Sequence, residues 1–323
     1  MIYDRILIIQ TAFIGDVILA TPLIERLYQK YPGVKIDFLL RKGNESLLKS
    51  DPRIHKLIIW DKRKGKYSQL FSLLRTVRAA KYDLVVNVQR FATMGVFTAL
   101  SNARSKVGFD KSPFSFAFDK VVPHQVGEGR HEVERNLSLI DEVGLIRPSL
   151  HLDRSMQKAV ANYQSEPYVT IAPTSVWFTK QFPHERWVEL INQMEFEGSI
   201  FLLGGPDDFD ACEQIRKESS TQKVINLAGK LSLLSSAALM KRAHMNYVND
   251  SAPMHLASAV NAPVTVFYCS TVPAFGFGPL SDTSHIMEVT EALECRPCGL
   301  HGFKNCPRGH FNCALKMDIS TLT

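Results

Sequence analysis

The chain has 323 residues, is 45% apolar and carries a net charge of +6. That length supports two domains with cores of their own, and no apolar run nears the roughly 18 residues of a membrane span. Four of the six cysteines follow Glu294, which is not the even framework of a small secreted domain.

Met1-Ile2-Tyr3-Asp4-Arg5 leads straight into a strand-like run, Arg5–Ile9. It lacks the charged n-region and apolar h-region of a secretory signal, so a cytoplasmic location is expected. Further short, branched-apolar runs predict strands at Ile36–Leu40, Leu57–Trp60 and Leu84–Val88, as in a parallel sheet buried on both faces. Helices are expected between them. Asp16–Tyr31 is stopped by Pro32-Gly33; Tyr67–Ala80 carries Leu70, Leu73, Leu74, Val77 and Ala80 at helical spacing; His131–Val143 has Gly144 placed to cap it.

The polar stretch Arg147–Pro167 reads as the domain linker, with a short helix at Ser155–Gln164. The second half repeats the alternation. Strands are expected at Tyr168–Ala172, Ile200–Leu203, Val224–Leu227, Met245–Val248 and Val264–Tyr268, and helices at Pro183–Glu197, Asp208–Ser219, Leu233–Arg242 and Pro253–Val260. Alternating strands and helices imply right-handed crossovers and parallel sheets. The expectation is an α/β protein of two parallel-sheet domains facing a central cleft, residues 1–155 and 156–323, ending in a cysteine-rich tail at 290–315.

Two strand–turn–helix junctions carry the polar residues most suited to chemistry. In the first, Gln10-Thr11-Ala12-Phe13-Ile14-Gly15-Asp16, Asp16 reads either as a helix N-cap or as a general base that accepts a proton from a substrate hydroxyl. Gly15 permits close approach of a ligand to the backbone. In the second, Asn249-Asp250-Ser251-Ala252-Pro253-Met254-His255, Asp250 or Ser251 can cap a helix opened by Pro253. His255, one turn in, reads as a packed residue or as a donor to a phosphate or sugar oxygen. Open α/β sheets bind ligands at such strand ends, and helix N-termini favour anions.

The segment Ala172–Pro183 follows the second half's first strand. Its Thr174, Ser175 and Thr179 hydroxyls and its Lys180 charge suit a diphosphate, with a solvated loop as the plainer reading. In Leu203-Gly204-Gly205-Pro206-Asp207-Asp208 the glycines allow close ligand approach, and the aspartates read better as helix caps than as ribose ligands. There is no Walker lysine loop, no Gly-x-Gly-x-x-Gly after the first strand and no Gly-x-Ser-x-Gly elbow. A nucleoside-triphosphate hydrolase and a typical dinucleotide dehydrogenase are thereby disfavoured.

Basic residues gather at Arg41-Lys42, at Lys62-Arg63-Lys64-Gly65-Lys66 and at Arg104, Lys106 and Lys111. They read as solvated loop charge or as attraction to a phosphorylated substrate or anionic membrane. Without interleaved aromatics they do not suggest nucleic acid.

Taken together, five segments resemble glycosyltransferase family 9, the ADP-heptose:lipopolysaccharide heptosyltransferases. They are Phe13-Ile14-Gly15-Asp16-Val17, Pro173…Lys180-x-x-Pro183…Trp187, Leu203-Gly204-Gly205-Pro206, Asn226-Leu227-Ala228-Gly229 and Asn249-Asp250-Ser251-x-Pro253-Met254-His255. The resemblance implies a GT-B fold of two Rossmann-like domains, the first for a lipid-linked acceptor and the second for the nucleotide sugar. It implies inverting transfer of heptose from ADP-heptose to phosphorylated Kdo-lipid A or heptosyl-Kdo-lipid A at the inner membrane surface, by a cytoplasmic, peripheral enzyme.

In that reading Asp16 is the base, and Lys180, Thr174 and Ser175 hold the diphosphate. Asp250, Ser251 and His255 then form the donor-binding helix start. Transfer itself needs no cofactor, since Lys180 and a helix dipole stand in for a metal. Where the family usually has glycine, this chain has Ala252. Transfer to protein hydroxyls, or from another nucleotide sugar, is the alternative, and a non-catalytic sugar-nucleotide-binding protein is a weaker one.

The tail contributes Cys295, Cys298, Cys306 and Cys313, a quartet opening with Cys-x-x-Cys. In a cytosolic protein it reads better as a structural zinc or iron site than as disulfides, with His301 and His310 as substitute ligands, or else as four reduced thiols. A branch of the resembling family, the protein heptosyltransferases, carries a cysteine-bound iron. Cys212 and Cys269 read as ordinary buried thiols.

Overall fold

Runs of branched apolar residues build the two sheets. The computed structural model describes residues 3–63 and 65–322, so Lys64 of the basic run and the opening Met1-Ile2 lie outside the described residues. The chain divides into two compact units, Met1–His151 and Leu152–Thr323.

In the first unit, β1 (Arg5–Ile9) leads to helices α1 (Ile14–Leu19) and α2 (Thr21–Lys30), then β2 (Lys35–Arg41), β3 (Ile54–Trp60), α3 (Lys66–Ala80), β4 (Leu84–Asn87), α4 (Ala92–Ala99), β5 (Ser105–Phe109), β6 (Lys120–Val122) and α5 (Glu132–Ser138). The strands pair in the order β3-β2-β1-β4-β5-β6, and every pairing is parallel. Ile6–Ile9 are fully buried, as a strand covered by helices on both faces must be.

In the second unit, α6 (Arg154–Val160) precedes β7 (Tyr168–Ala172), α7 (His184–Gln193), β8 (Ser199–Leu202), α8 (Phe209–Glu218), β9 (Val224–Asn226), α9 (Leu233–Met240), β10 (Asn246–Asn249), α10 (Ala252–Ala259), β11 (Val264–Tyr268), β12 (Ser284–Glu288) and α11 (Asn312–Leu315). The order β9-β8-β7-β10-β11-β12 repeats the topology of the first unit. Phe182, Trp187 and Phe267 form the aromatic centre of its core, Phe182 stacked on Phe267 at 4.5 Å and Trp187 edge-on to Phe267 at 4.8 Å.

Several expectations are corrected. The helix expected from Asp16 begins at Ile14 and breaks into α1 and α2 around Ala20. Pro22 has no N–H to continue the ladder, and the Thr21 hydroxyl donates to the Ile18 carbonyl (2.8 Å) that would have received it. Helix α5 ends at Ser138, well short of Gly144. There Lys120 Nζ takes the Leu139 carbonyl (3.2 Å) and the Asp141 carboxylate (2.5 Å), while Asp141 adopts a left-handed conformation. Strands β5, β6 and β12 were not expected: β5 contains Gly108, β6 is three residues long, and β12 is an edge with its first three residues exposed.

Asp37 sits at zero exposure in the middle of β2 and is neutralised by three partners. Arg5 lies at 3.0 Å, His55 Nδ1 at 2.7 Å, and the Tyr82 hydroxyl donates at 2.5 Å. Burial, then the carboxylate itself, raises the Tyr82 pKa and keeps the phenol a donor. Asp37→Ala leaves those partners facing an empty site. Equilibrium urea unfolding is expected to show a loss of about 3–5 kcal/mol, the range for breaking a buried ion pair from one side.

Candidate active site

The first unit places Asp16 in the first turn of α1, just past the carboxyl end of β1 and beside the switch between β1 and β4. The residue preceding the helix is Phe13. The Asp16 carboxylate reaches back to accept the Phe13 N–H at 3.0 Å, so the side chain serves the helix end that Asp16 was expected to cap directly. Gly15 precedes it in the same turn, half-buried. Across the switch Gln89, on the loop after β4, donates to Gln10, on the loop after β1.

Burial raises the Asp16 pKa from 3.8 to about 6, and repulsion from Glu132 adds to it; the Phe13 N–H and Arg90 pull the other way. Helix α5 brings Glu132 here and packs on α1, with Asn136 Nδ2 donating to the Leu19 carbonyl at 3.1 Å. Glu132 is itself clamped by Arg135 Nε (2.6 Å) and His124 Nε2 (3.2 Å). Arg90 donates to the other His124 nitrogen at 3.3 Å, which leaves Nε2 to donate to Glu132. Burial alone would raise Glu132, but His124 and Arg135 outweigh it and hold its carboxyl below the usual range, charged beside Asp16. Sequence reasoning missed Arg90, His124, Glu132 and Arg135. The one available signal was the acidic first turn after His131.

The second unit gathers its residues at the switch between β7 and β10. The loop after β7 carries Thr174, Ser175, Thr179 and Lys180; the loop after β10 opens α10. Asn249 clasps the first loop at both ends. Its Nδ2 donates to the Pro173 carbonyl (2.8 Å) and its Oδ1 accepts from Phe182 N–H (2.8 Å). Lys180 Nζ meets the buried Asp250 carboxylate at 2.7 Å, and the Thr271 hydroxyl donates to the same oxygen at 2.6 Å. Asp250 is therefore a partner for Lys180 and not the helix cap. Ser251 takes the cap position through its backbone, without a side-chain cap bond, and its hydroxyl donates to the Asn249 carbonyl at 3.4 Å.

Ala252 is the first residue of α10, and His255 is buried one turn along. Thr174 and Ser175 are half-buried, and it is their carbonyls that accept from Asn249 and Gln181. The arrangement puts an oriented ammonium near a helix N-terminus, where it can neutralise a phosphate.

Of two further expected ligands, Thr179 is bonded into the frame while Gly205 is exposed. Thr179 is 1% exposed, its hydroxyl accepting from Ser270 Oγ (3.1 Å) and Phe303 N–H (2.8 Å), so it faces away from any ligand. Gly205 N–H donates to the Asp208 carboxylate at 2.7 Å, and a Cβ on Gly204 would meet Asp208 Cβ at 2.7 Å, so it is Gly204 whose lack of a side chain the start of α8 requires.

In the tail, burial raises the Cys313 pKa, and Cys295, Cys298 and Cys306 all lie near enough to raise it further. Among the described residues no three or more His, Cys, Asp or Glu side chains are grouped to hold a metal ion. All six cysteines are free thiols. Cys298 Sγ donates to the Cys295 carbonyl (3.1 Å), Cys295 Sγ lies 3.8 Å from His310 Nε2, Cys306 packs against the core, and burial pushes the Cys313 thiol up to about 12. Burial likewise raises Cys212 to about 12, and Cys269 well above its ordinary value.

Comparison with known proteins fits this geometry. A model of glycosyltransferase family 9 (heptosyltransferase) matches residues 70–301. Lipopolysaccharide heptosyltransferase 3 of Escherichia coli is 32% identical over 279 residues, covering 80% of this chain and 82% of its own. In fold the chain is similar to the E. coli ADP-heptose lipopolysaccharide heptosyltransferase II (TM-score 0.78, 22% identity, 91% and 95% of the two chains). It is also similar to an E. coli heptosyltransferase solved with ADP (TM-score 0.72, 20% identity, 87% and 92%).

Because the folded-state pKa of Asp16 exceeds its ordinary value, the cost of its negative charge is absent below 3.8 and full above about 6. Carbon-13 NMR of the Asp16 carboxyl is expected to titrate near pH 6. Glu132→Gln keeps the acceptor for Arg135, removes the repulsion, and is expected to move that titration to lower pH.

Proposed function

The chain belongs to glycosyltransferase family 9, and from that premise we propose that it is an inverting heptosyltransferase, moving heptose from ADP-heptose to a hydroxyl of the lipopolysaccharide inner core. The acceptor oxygen attacks the anomeric carbon of the donor. The bond from that carbon to the diphosphate breaks, and ADP leaves with the electron pair. Asp16 takes the acceptor's proton as the new bond forms. Lys180, held by Asp250, and the head of α10 stabilise the charge that grows on the departing diphosphate. These groups supply the neutralisation that a metal provides elsewhere.

The observation that carries the reading is the Asp16 carboxylate, raised to about 6 at the carboxyl end of β1. A base matched to neutral pH abstracts a proton best when its own affinity is near that pH. The likeness to a lipopolysaccharide heptosyltransferase supports the sugar and the acceptor, and the neighbour solved with ADP supports the nucleotide. The first unit would take phosphorylated Kdo-lipid A or a heptosylated form of it, and the second the donor. The methyl of Ala252 at the start of α10 would narrow the room left for the donor's phosphates.

Such an acceptor lies in a membrane. No helix among the described residues is long and apolar enough to cross one. Association would then be peripheral, through exposed Phe91 and Phe116 and basic residues of the first unit such as Lys111. Cations of that unit already have partners: Lys111 pairs with Asp110 at 3.4 Å, Lys42 pairs with Asp61 at 2.9 Å, and Arg41 lies over the Phe13 ring.

Release of ADP on mixing the protein with ADP-heptose and cores bearing zero, one or two heptoses tests the reaction. Turnover with none of these acceptors removes the assignment. Asp16→Asn is expected to cost about 10²–10⁴ in rate without lowering the melting temperature at pH 7.5, since it removes a disfavoured charge. The wild-type rate is expected to fall as pH drops through about 6, where Asp16 takes up its proton.

Phe91→Ala with Phe116→Ala is expected to reduce co-sedimentation with anionic vesicles. Undiminished binding would place the membrane contact elsewhere.

A further inference from the structure

The cysteine-rich tail takes no part in the transfer just described, yet it is fastened to the loop that carries Lys180. That loop, from Pro173 to Gln181, has a single 3-10 turn, Phe178–Lys180. Within the loop the Gln181 side chain donates to the Ser175 carbonyl at 2.6 Å, and further restraints come from outside. Thr179 N–H donates to the Phe303 carbonyl at 3.1 Å, and Phe303 N–H returns a bond to the Thr179 hydroxyl at 2.8 Å. Ser270 N–H donates to the Thr179 carbonyl (3.2 Å), while Cys298 N–H donates to the Ser270 carbonyl (2.9 Å). Thr179 is thus bonded on its N–H, its carbonyl and its hydroxyl.

Arg296 ties the same tail to the Asp250 side of the site. Its Nε donates to the Cys269 carbonyl (2.7 Å), and Nη2 donates to the Tyr268 (3.1 Å) and Thr271 (2.8 Å) carbonyls. Thr271 is the residue whose hydroxyl holds Asp250. Gly302 lies against the lysine itself: a Cβ there would meet Trp177 Cβ at 2.5 Å and Lys180 Cγ at 2.9 Å. Those atoms are the roots of their side chains and cannot swing aside as a side-chain tip can.

We propose that the tail segment Arg296–Phe303 positions Lys180, fixing the backbone of Thr179 and the root of the lysine so that the ammonium stays on Asp250, ready for the donor's diphosphate. The inference rests on reading Lys180 as the diphosphate ligand. A lysine has four side-chain torsions, and ordering them at the moment of binding costs free energy. A lysine already held avoids that cost. Thr179, Arg296, Gly302 and Phe303 are then positioning residues that act through Lys180 and touch no substrate.

Calorimetric binding of ADP to the full-length protein tests this, with donor KM and kcat measured beside it. Lys180→Ala is expected to weaken ADP binding. Gly302→Ala and Thr179→Val are each expected to weaken it and to raise the donor KM by about tenfold, the scale of a small misplacement. Thr179→Ser keeps the hydroxyl and is expected to retain wild-type affinity. Lys316→Ala breaks only a surface pair of the tail with Glu291 and is expected to change nothing.

The deciding measurement is the double variant. On a Lys180→Ala background, Gly302→Ala is expected to cost no further ADP affinity, because its route of action is gone. Equal losses in both backgrounds would overturn the proposal, and so would a folded Gly302→Ala or Thr179→Val protein with wild-type ADP affinity. Should Lys180→Ala itself bind ADP normally, the reading of Lys180 falls first and the proposal falls with it. If Gly302→Ala does not fold, the same cycle runs on Thr179→Val.

Discussion

Parallel pairing of the first and fourth strands of each unit is the constraint on which the rest depends. In the second unit β7 and β10 lie side by side, while the chain leaves them toward opposite edges of the sheet. Their two following loops must therefore part, and polar groups are needed to line the opening. Asn249 does this with one carboxamide, tying Pro173 and Phe182 across the start and end of the Lys180 loop. Beneath it the stacked rings of Phe182 and Phe267 give the loop a rigid floor.

The two units treat charge in opposite ways. Lys180 and Asp250 neutralise each other, and Thr271 takes up a further part of the carboxylate's bonding capacity. A buried pair so arranged holds its geometry, even where its net contribution to stability is small. Among the described residues no such counterion stands at contact distance from Asp16. Burial and the neighbouring Glu132 both oppose its charge, while the Phe13 N–H and Arg90 only moderate them. One site holds a cation on a carboxylate, and the other opposes the charge of its carboxylate.

Much of this was legible in the sequence because it lies in local pattern. Nine of the strands stand out as branched apolar runs, and the junctions around Asp16 and Asp250 follow from polar residues set where such runs stop. What stayed hidden depends on pairing at long range. Glu132 reads as an ordinary first-turn acid until α5 packs on α1 and brings it near Asp16. Thr179 looks like a ligand hydroxyl because nothing local shows that Phe303, 124 residues away, will occupy it. The cysteine spacing suggested a metal because spacing is all that a sequence offers. Folding sends Cys313 into the core and turns Cys298 toward a carbonyl, contacts that spacing does not show.

The repeated strand order has a further meaning. β1 and β7 hold the same place in their sheets, so the turn bearing Asp16 and the loop bearing Lys180 are equivalent corners of one plan used twice. The corner after β1 is short and hands its carboxylate to a helix almost at once; the corner after β7 is long, irregular and braced by a distant segment. A single topology thus carries two opposite electrical characters, set by these turns and by the groups packed near them, Glu132 in one unit and Asp250 in the other. The halves differ around these corners, while the strand order of their sheets is the same.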